Sequence, residues 1–321
     1  MGKSILITGG LGNLGSWLTQ HFVKAGYKVT VLAKHKREVF IEGDFELLLV
    51  DIADYQAVYN TLKARYFDFI LHTASVNEGN EVHYFQKAIQ VNVLGTRNLL
   101  EVVKMNPPMN FIYFSTFHVY GRSSGFLDEN SATSPKHDYA TSHLQAEQSV
   151  LQFHHTQAMD FTIIRLTNSY GCPKDFASSK WYLILNDLSR MAFEQKRITL
   201  KSNGGAIRDF IWMGDVVKTV QAICEHPQPL NDIYNLSAQE NFQMIQVARF
   251  VQMAFEEVYG ELIPIQPNVE DHSVYDNSLF VSSQKLRRII PFFSQPHFKE
   301  EAKQIFSLLE RKAEFSRARK Y

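Results

Sequence analysis

Blocks of apolar residues alternate along the chain with stretches of helical period. The run Ser4-Ile5-Leu6-Ile7 reads as a buried parallel strand, and behind it Leu14, Leu18 and Phe22 recur at the spacing of one helix face. The exchange repeats: the pattern predicts strands at Lys28–Ala33, Glu46–Val50, Phe67–His72, Asn110–Ser115 and Phe161–Leu166. Between them it predicts helices near Tyr55–Arg65, Tyr84–Met105 and Tyr139–Gln157, the second with Ile89, Val93, Leu100 and Val103 on one face. This β-α-β rhythm argues for an α/β fold with a doubly wound parallel sheet, whose ligands bind at the carboxyl ends of the strands.

The rhythm breaks after Leu166. Asn168–Arg190 reads as a loop leading into a helix and Ile198–Gly205 as a strand and a turn. Phe210–Met213 and Asp232–Leu236 read as short strands flanking a helix Asp215–Glu225, and Gln243–Tyr259 and Phe298–Lys312 as helices. The expected division is a nucleotide-binding domain over 1–166, to which segments near 206–238 return, and a smaller C-terminal lobe over 167–321. A cleft between the two would hold a substrate. No internal repeat, low-complexity tract or long linker interrupts the pattern.

Composition narrows the class. The chain has 321 residues, 45% of them hydrophobic, with a formal net charge of zero, and its mean hydropathy is −0.20. No broad basic field is expected, so nucleic acid and anionic membrane are poor partners. No apolar run is long enough to span a bilayer. The chain enters directly into a strand without signal-peptide architecture, so the expected compartment is the cytoplasm. Two cysteines, Cys172 and Cys224, make neither a disulfide framework nor a metal site, and the twelve histidines show no ligand spacing.

The candidate chemistry begins at Thr8-Gly9-Gly10-Leu11-Gly12-Asn13-Leu14-Gly15, between the first strand and the first helix. A glycine turn in that context is a phosphate-binding device. One glycine makes the tight turn, one lets backbone approach a pyrophosphate, and one lets helix and strand pack closely. The helix N-terminus then offers free N–H groups to the anion. This is the Rossmann arrangement.

With the later segments the sequence resembles the extended short-chain dehydrogenase/reductase family of nucleotide-sugar epimerases, dehydratases and reductases, over nearly the whole chain. Thr8–Gly15 matches TGGxGxxG, Asp51-Ile52-Ala53-Asp54 the D-[IL]-x-D after the third strand, and His72-Thr73-Ala74 the H-x-A ending the fourth. Asn92-Val93-Leu94-Gly95-Thr96 matches N-V-x-G-T, Ser115–Gly121 the S-[ST]-x-x-V-Y-G segment, and Arg208-Asp209-Phe210-Ile211 the R-D-[FY]-[IV] of the substrate lobe. The resemblance implies a cofactor site formed by Gly9, Gly12, Asn13, Leu14 and Gly15 with Asp51, Ile52, Ala74 and Asn92. It also implies a homodimer paired through the helices near Tyr84–Met105 and Tyr139–Gln157.

For cofactor choice, the second strand ends at Ala33 and is followed by Lys34-His35-Lys36-Arg37, with no carboxylate to repel a 2′-phosphate. Lys34 and Arg37 therefore favour NADP(H) over NAD(H), unless the run is simply a solvated basic loop. Asp51 either bonds the adenine or caps the following helix. Asn92 holds a relay water or braces its helix.

For the reaction, the resemblance implies Tyr139 as the proton donor or acceptor and Thr116 as the hydroxyl that orients the substrate oxygen. The family's Y-x-x-x-K reads Tyr139-Ala140-Thr141-Ser142-His143, so His143 stands where the lysine would touch the nicotinamide ribose and lower the pKa of the tyrosine. Three readings follow: His143 is protonated in the filled site, another cation reaches in, or redox chemistry is lost while binding persists. A neutral phenol is already an acid, so NADPH-dependent reduction of a keto-sugar is the expected activity. An epimerase or dehydratase with retained cofactor and a redox-silent binder are the alternatives.

Arg208 matches the family arginine on a nucleotide-sugar pyrophosphate, or else pairs with Asp209 or another carboxylate. Asn168, in the R-x-x-N-x-Y-G stretch, bonds the diphosphate or serves as a turn residue. A second family arginine is missing near Asn268–Asp271. Ser75–His83, with Asn77, Glu78, Asn80, Glu81 and His83, is expected to line the site, and Trp181, Tyr182 and Trp212 stack on ligand or pack in the core.

Overall fold

The computed structural model describes residues 2–77, 84–176, 180–275 and 279–318. The expected strands are there, numbered here for the central sheet: β1 (Ser4–Thr8), β2 (Lys28–Ala33), β3 (Glu46–Leu49), β4 (Phe69–His72), β5 (Asn110–Thr116), β6 (Phe161–Leu166) and β7 (Asp232–Leu236). They form one parallel seven-stranded sheet in the order β7-β6-β5-β4-β1-β2-β3. The chain reverses its direction of travel between β4 and β1, so the carboxyl ends of these two strands open the crevice where a doubly wound sheet binds its ligand.

Both faces of the sheet are covered, which is why its strands read as nearly continuous apolar runs. Helices Asn13–Lys24 and Met213–Glu225 pack on one face over Ile5, Ile7, Val31 and Ile164. Helices Tyr55–Leu62, Gly95–Val103 and Asp138–Gln157 cover the other over Leu6, Ile70, Phe111 and Ile163. Fully buried side chains such as Phe22, Phe111 and Phe161 each contribute about 2–3 kcal/mol.

The remaining chain builds a second core. Helices Ile184–Gln195, Met244–Tyr259 and Phe298–Ala318 enclose Leu188, Val251, Phe255, Ile305 and Phe306. Strand Ile207–Trp212 pairs with Asn168–Tyr170 and with Asn241–Gln243, and carries Arg208. Helix Met244–Tyr259 starts at a Gln243/Gln246 capping box and stops at Gly260 in the left-handed conformation. Cys172 and Cys224 are both buried and unpaired. Among the described residues no helix is long and apolar enough to cross a membrane.

One predicted helix needs correction. Tyr84–Met105 is interrupted by a π-helical turn, Ile89–Leu94, between α-helical segments Tyr84–Ala88 and Gly95–Val103. The extra residue in that turn rotates the buried face: Ala88, Asn92, Thr96, Leu99, Leu100 and Val103 point inward, while Ile89 and Val93 are only half-buried. What the wider turn achieves is visible at Asn92. Its Oδ1 accepts from the Val76 N–H at 2.8 Å, and its Nδ2 donates to the Val76 carbonyl at 3.2 Å and to Ser142 Oγ at 2.9 Å.

Candidate active site

The glycine turn has the shape a dinucleotide pyrophosphate requires. Gly9 adopts φ +70° and lies so close to the loop after β4 that an added Cβ would stand 2.8 Å from Ala74 Cα. A Cβ on Gly15 would collide with the Gly9 carbonyl oxygen. Gly12 N–H bonds that same oxygen at 2.7 Å and Gly12 starts helix Asn13–Lys24, whose N-cap makes no side-chain bond and whose first turn has no acidic residue. Asn13 Oδ1 is buried without a partner, and Leu14 packs on the core behind it. Such a bare helix start, backed by glycines, fits a bound pyrophosphate.

A directional chain of hydrogen bonds fastens this turn to β4 and the π-turn helix. Ala74 N–H donates to Thr8 Oγ1 at 3.3 Å, and Thr8 Oγ1 meets His72 Nδ1 at 2.6 Å. His72 Nε2 meets Thr96 Oγ1 at 2.8 Å, and Thr96 donates onward to the Asn92 carbonyl at 2.5 Å. Since Thr96 spends its proton on Asn92, His72 must donate from Nε2 and accept from Thr8 at Nδ1. Burial, with His143 nearby, pushes its pKa down to about 3, so it works as a neutral connector.

The basic loop is differently employed from its expected role. Lys34 pairs with Asp51 at 2.7 Å, and Arg37 pairs with Asp175 at 2.5 Å. Both cations that favoured a 2′-phosphate thus already face a carboxylate. Burial opposes the Asp51 charge, but Lys34 and the Ala53 N–H outweigh it and hold this carboxyl below its usual range. The helix cap belongs to Asp54, which accepts from Ala57 N–H, and not to Asp51. Ile52 is core, packed under Gly95.

Helix Asp138–Gln157 carries Tyr139 and His143 on one face, their rings meeting edge to face with centroids 4.5 Å apart. The helix is capped by His137, whose Nδ1 accepts from Ala140 N–H at 3.3 Å. Thr116 is the last residue of β5, where its hydroxyl accepts from His118 N–H at 3.3 Å. The following turn, Phe117–Tyr120, presents the His118 ring edge to face with Tyr139 at 6.4 Å and with His137 at 5.2 Å. Tyr139 therefore sits half-buried among three imidazoles.

His143 is buried, and its Nδ1 bonds the Tyr113 hydroxyl at 2.8 Å while its Nε2 is buried without a partner. Burial, with His118 adding repulsion, pushes its pKa down to about 3. Burial thus favours the neutral imidazole at His143. His118 is likewise pushed down to about 4 by burial, then by His137 and Arg208. The orphan Nε2 beside Tyr139 fits a ligand hydroxyl, the group the ribose of a dinucleotide would bring.

One helical turn further on, Glu147 accepts from Ser115 Oγ at 2.5 Å and takes the Arg165 guanidinium in a fork of 3.0 and 2.7 Å. Burial works against the Arg165 charge, but Glu147 outweighs it and keeps the group firmly protonated. Tyr113, Ser142, His118 and the Glu147–Arg165 pair surround the candidate site and were not named as site residues from sequence, and His72 was read only as part of the H-x-A motif. The signal was present: Tyr113 and Ser115 are two apart on a strand, and His143 and Glu147 four apart on a helix. These spacings nearly match, at about 6.6 and 6 Å, so the two pairs face one another as rungs.

Arg208 is exposed, and its neighbour Asp209 is turned away, buried, accepting from Thr167 Oγ1 at 2.6 Å. The alternative Arg208–Asp209 bridge is therefore not formed, and burial pushes the Asp209 pKa up to about 6. Asn168 Nδ2 donates to the Asp209 carbonyl at 2.9 Å and so pins the strand that carries Arg208. Trp212 donates to Glu301 at 2.9 Å and stacks against His297, and Trp181 lies against the second core; both pack rather than stand open. Tyr182 is exposed. Asp271 folds its own loop, accepting from Asn203 and Tyr275. Of Ser75–His83, residues 78–83, with Glu78, Asn80, Glu81 and His83, lie outside the described residues. Among the described residues no cluster of His, Cys, Asp or Glu could hold a metal.

The family model for the NAD dependent epimerase/dehydratase family matches residues 5–237. The chain belongs to that family. A dTDP-D-glucose 4,6-dehydratase of Dictyostelium discoideum is 25% identical over 272 residues, 77% of this chain, which spans 61% of that relative's length. A probable dTDP-glucose 4,6-dehydratase of Sinorhizobium fredii is 25% identical over 92% of this chain and 89% of its own. Among solved structures, epimerase Mth375 of Methanothermobacter thermautotrophicus superposes with a TM-score of 0.81 at 24% identity, covering 99% of this chain and 95% of that one. The UDP-glucuronic acid 4-epimerase of Bacillus cereus, in complex with NAD, gives 0.79 at 19% identity over 96% of this chain and 99% of that one. These likenesses establish the Rossmann-type fold.

Proposed function

We propose that this family member is a nucleotide-sugar 4-epimerase that keeps NAD bound. The observation that carries the reading is the joint placement of a pyrophosphate-shaped glycine turn and a Tyr139–His143 pair around one crevice of the sheet. When bound there, the nicotinamide ring supplies reversible hydride acceptance from a sugar carbon. Tyr139 takes and returns the proton on the oxygen of that carbon, Thr116 orients the oxygen, and His143 Nε2 bonds a ribose hydroxyl. Gly9 to Gly15 hold the pyrophosphate of the cofactor, and exposed Arg208 reaches the diphosphate of the sugar nucleotide.

Reduction of a keto-sugar by NADPH is the weaker reading. It has two grounds, that a neutral phenol is already an acid and that Lys34 and Arg37 would meet a 2′-phosphate, and the second is weakened because both cations stand in ion pairs. A dehydratase needs further acid and base groups to expel water, and the turn that follows Thr116 carries Phe117 and His118, an imidazole held neutral by burial. Withdrawing a hydride and returning it to the other face asks least of such a site.

The test is to denature the purified protein, quantify the nicotinamide nucleotide released, and follow UDP- and dTDP-hexoses by NMR. The expected result is NAD in near-stoichiometric amount and a slow approach to a mixture of C4 epimers without net cofactor reduction. Free exchange of NADPH with consumption matched to a keto-sugar would overturn the proposal in favour of a reductase. Bound NAD with no turnover of any sugar would leave a redox-silent binder.

A further inference from the structure

We propose that Tyr113 is a positioning residue that fixes the tautomer of His143, making this buried imidazole a neutral N–H donor toward the Tyr139 oxygen and the nicotinamide ribose. The target of the donor rests on the NAD reading above; the tautomer itself does not. Tyr113 lies in the middle of β5, 2% exposed, and its hydroxyl has one polar partner among the described residues, His143 Nδ1 at 2.8 Å.

Two proton placements are possible across that bond. If His143 donates from Nδ1, the phenol accepts, and its own O–H is left buried with no acceptor while the Nε2 lone pair also stays empty. If Tyr113 donates, one donor and one acceptor are again idle, but the idle acceptor is the weak phenol oxygen instead of the strongly accepting imidazole nitrogen, and the spare Nε2–H lies beside Tyr139, where a ligand oxygen can take it. The second placement therefore prevails. Among the described neighbours none offers a free anion to an imidazolium: His72 on β4 and His118 on the turn after β5 are imidazoles that burial holds neutral, Tyr139 on the same helix presents its ring, and Glu147 is committed to Arg165 and Ser115.

The outcome is a donor-only face beside Tyr139, which is the hydrogen-bonding character of a lysine without its charge. His72 reaches the same tautomer by the same device, with Thr8 donating to Nδ1 and Nε2 donating to Thr96. In His72 both ring nitrogens are satisfied within the chain. In His143 the outer one is not, and an oxygen from a ligand completes it.

The experiment is long-range 1H–15N NMR of uniformly labelled protein, with the His143 signals assigned by their loss in His143→Gln. In the cofactor-free wild type, His143 should show a protonated Nε2 and a bare Nδ1, unchanged from pH 6 to 9. Tyr113→Phe removes one hydroxyl and keeps the ring, and it should yield a mixture of tautomers. It should also weaken NAD binding to stripped protein roughly tenfold. A wild-type His143 protonated on Nδ1, or one titrating near neutrality, overturns the assignment, as does a Tyr113→Phe variant with unaltered tautomer. A protonated Nε2 in a protein that never binds NAD upholds the tautomer and sinks the NAD reading instead.

Discussion

Replacing an ammonium by a neutral imidazole changes where Tyr139 gives up its proton. A tyrosine in water ionises near pH ~10, and a cation a few ångströms away lowers that by about 1–3 units. His143, held neutral by burial, supplies a hydrogen bond but no charge. On the proposed epimerase reading, with Tyr139 carrying the proton, the rate should therefore keep rising from pH 7 toward about 9 instead of levelling off near neutrality. In His143→Lys the rising limb should move down by about one unit or more, seen in initial rates across that range. Identical profiles for the two proteins would show that some other group activates Tyr139. Arg208 makes a separate case, because it is exposed and unpaired with its neighbour Asp209. Arg208→Gln should raise KM for the sugar nucleotide about tenfold or more and leave Tm unchanged. A fall in Tm with KM intact would mean that the guanidinium supports the fold and not the diphosphate.

Between elements, the decisive contact is strand β5 against helix Asp138–Gln157. Tyr113 meets His143 and Ser115 meets Glu147, so the strand sets the height and rotation of the helix that carries Tyr139. Glu147 then reaches Arg165 on the neighbouring strand β6. Glu147→Ala leaves a buried guanidinium without its anion, and denaturant unfolding should show a loss of about 3–5 kcal/mol. Glu147→Gln, which keeps the shape, should lose less; equal stability of Glu147→Ala and wild type would refute the pair as a fastening. Much of this architecture could be read from the sequence, because parallel strands buried on both faces are apolar runs and the glycine turn leaves an unmistakable spacing. The π-turn at Ile89–Leu94 could not, since the groups that Asn92 meets within it, Val76 and Ser142, are distant in the chain. The roles of Lys34 and Arg37 were hidden for the same reason: their carboxylate partners, Asp51 and Asp175, are brought beside them only by the fold. Tyr139, Thr116 and His143 were legible as positions in a pattern, but the protonation of His143 follows from burial, which only the packed helix defines.

For the molecule as a whole, these buried imidazoles make stability depend on pH in a definite direction. His72 and His143 are pushed down to about 3 and His118 to about 4, whereas an unfolded histidine binds its proton near pH ~6.5. Below that value the unfolded chain takes up protons that the folded chain refuses, so stability is full above about pH 6.5 and is lost as pH falls toward the folded values. Asp209 acts in the opposite sense. Its folded pKa is raised to about 6, so the folded chain holds a proton that the unfolded one has released, and its penalty grows as pH rises from about 4 to 6. Glu129, Asp175, Glu240 and Glu301 are raised in the same sense as Asp209, and His21 is lowered with the other histidines; the three strongly depressed imidazoles set the direction, and stability should fall as pH drops from 6 to 5. Thermal melts at pH 7.5, 6 and 5 should show Tm dropping at each step, most steeply in the last. His143→Gln removes one of the three groups and should flatten that slope, even where it lowers Tm at pH 7.5. A Tm that holds level from pH 7.5 to 5 would mean that His72 and His143 accept protons in the folded state, and the neutral donor beside Tyr139 would fall with them.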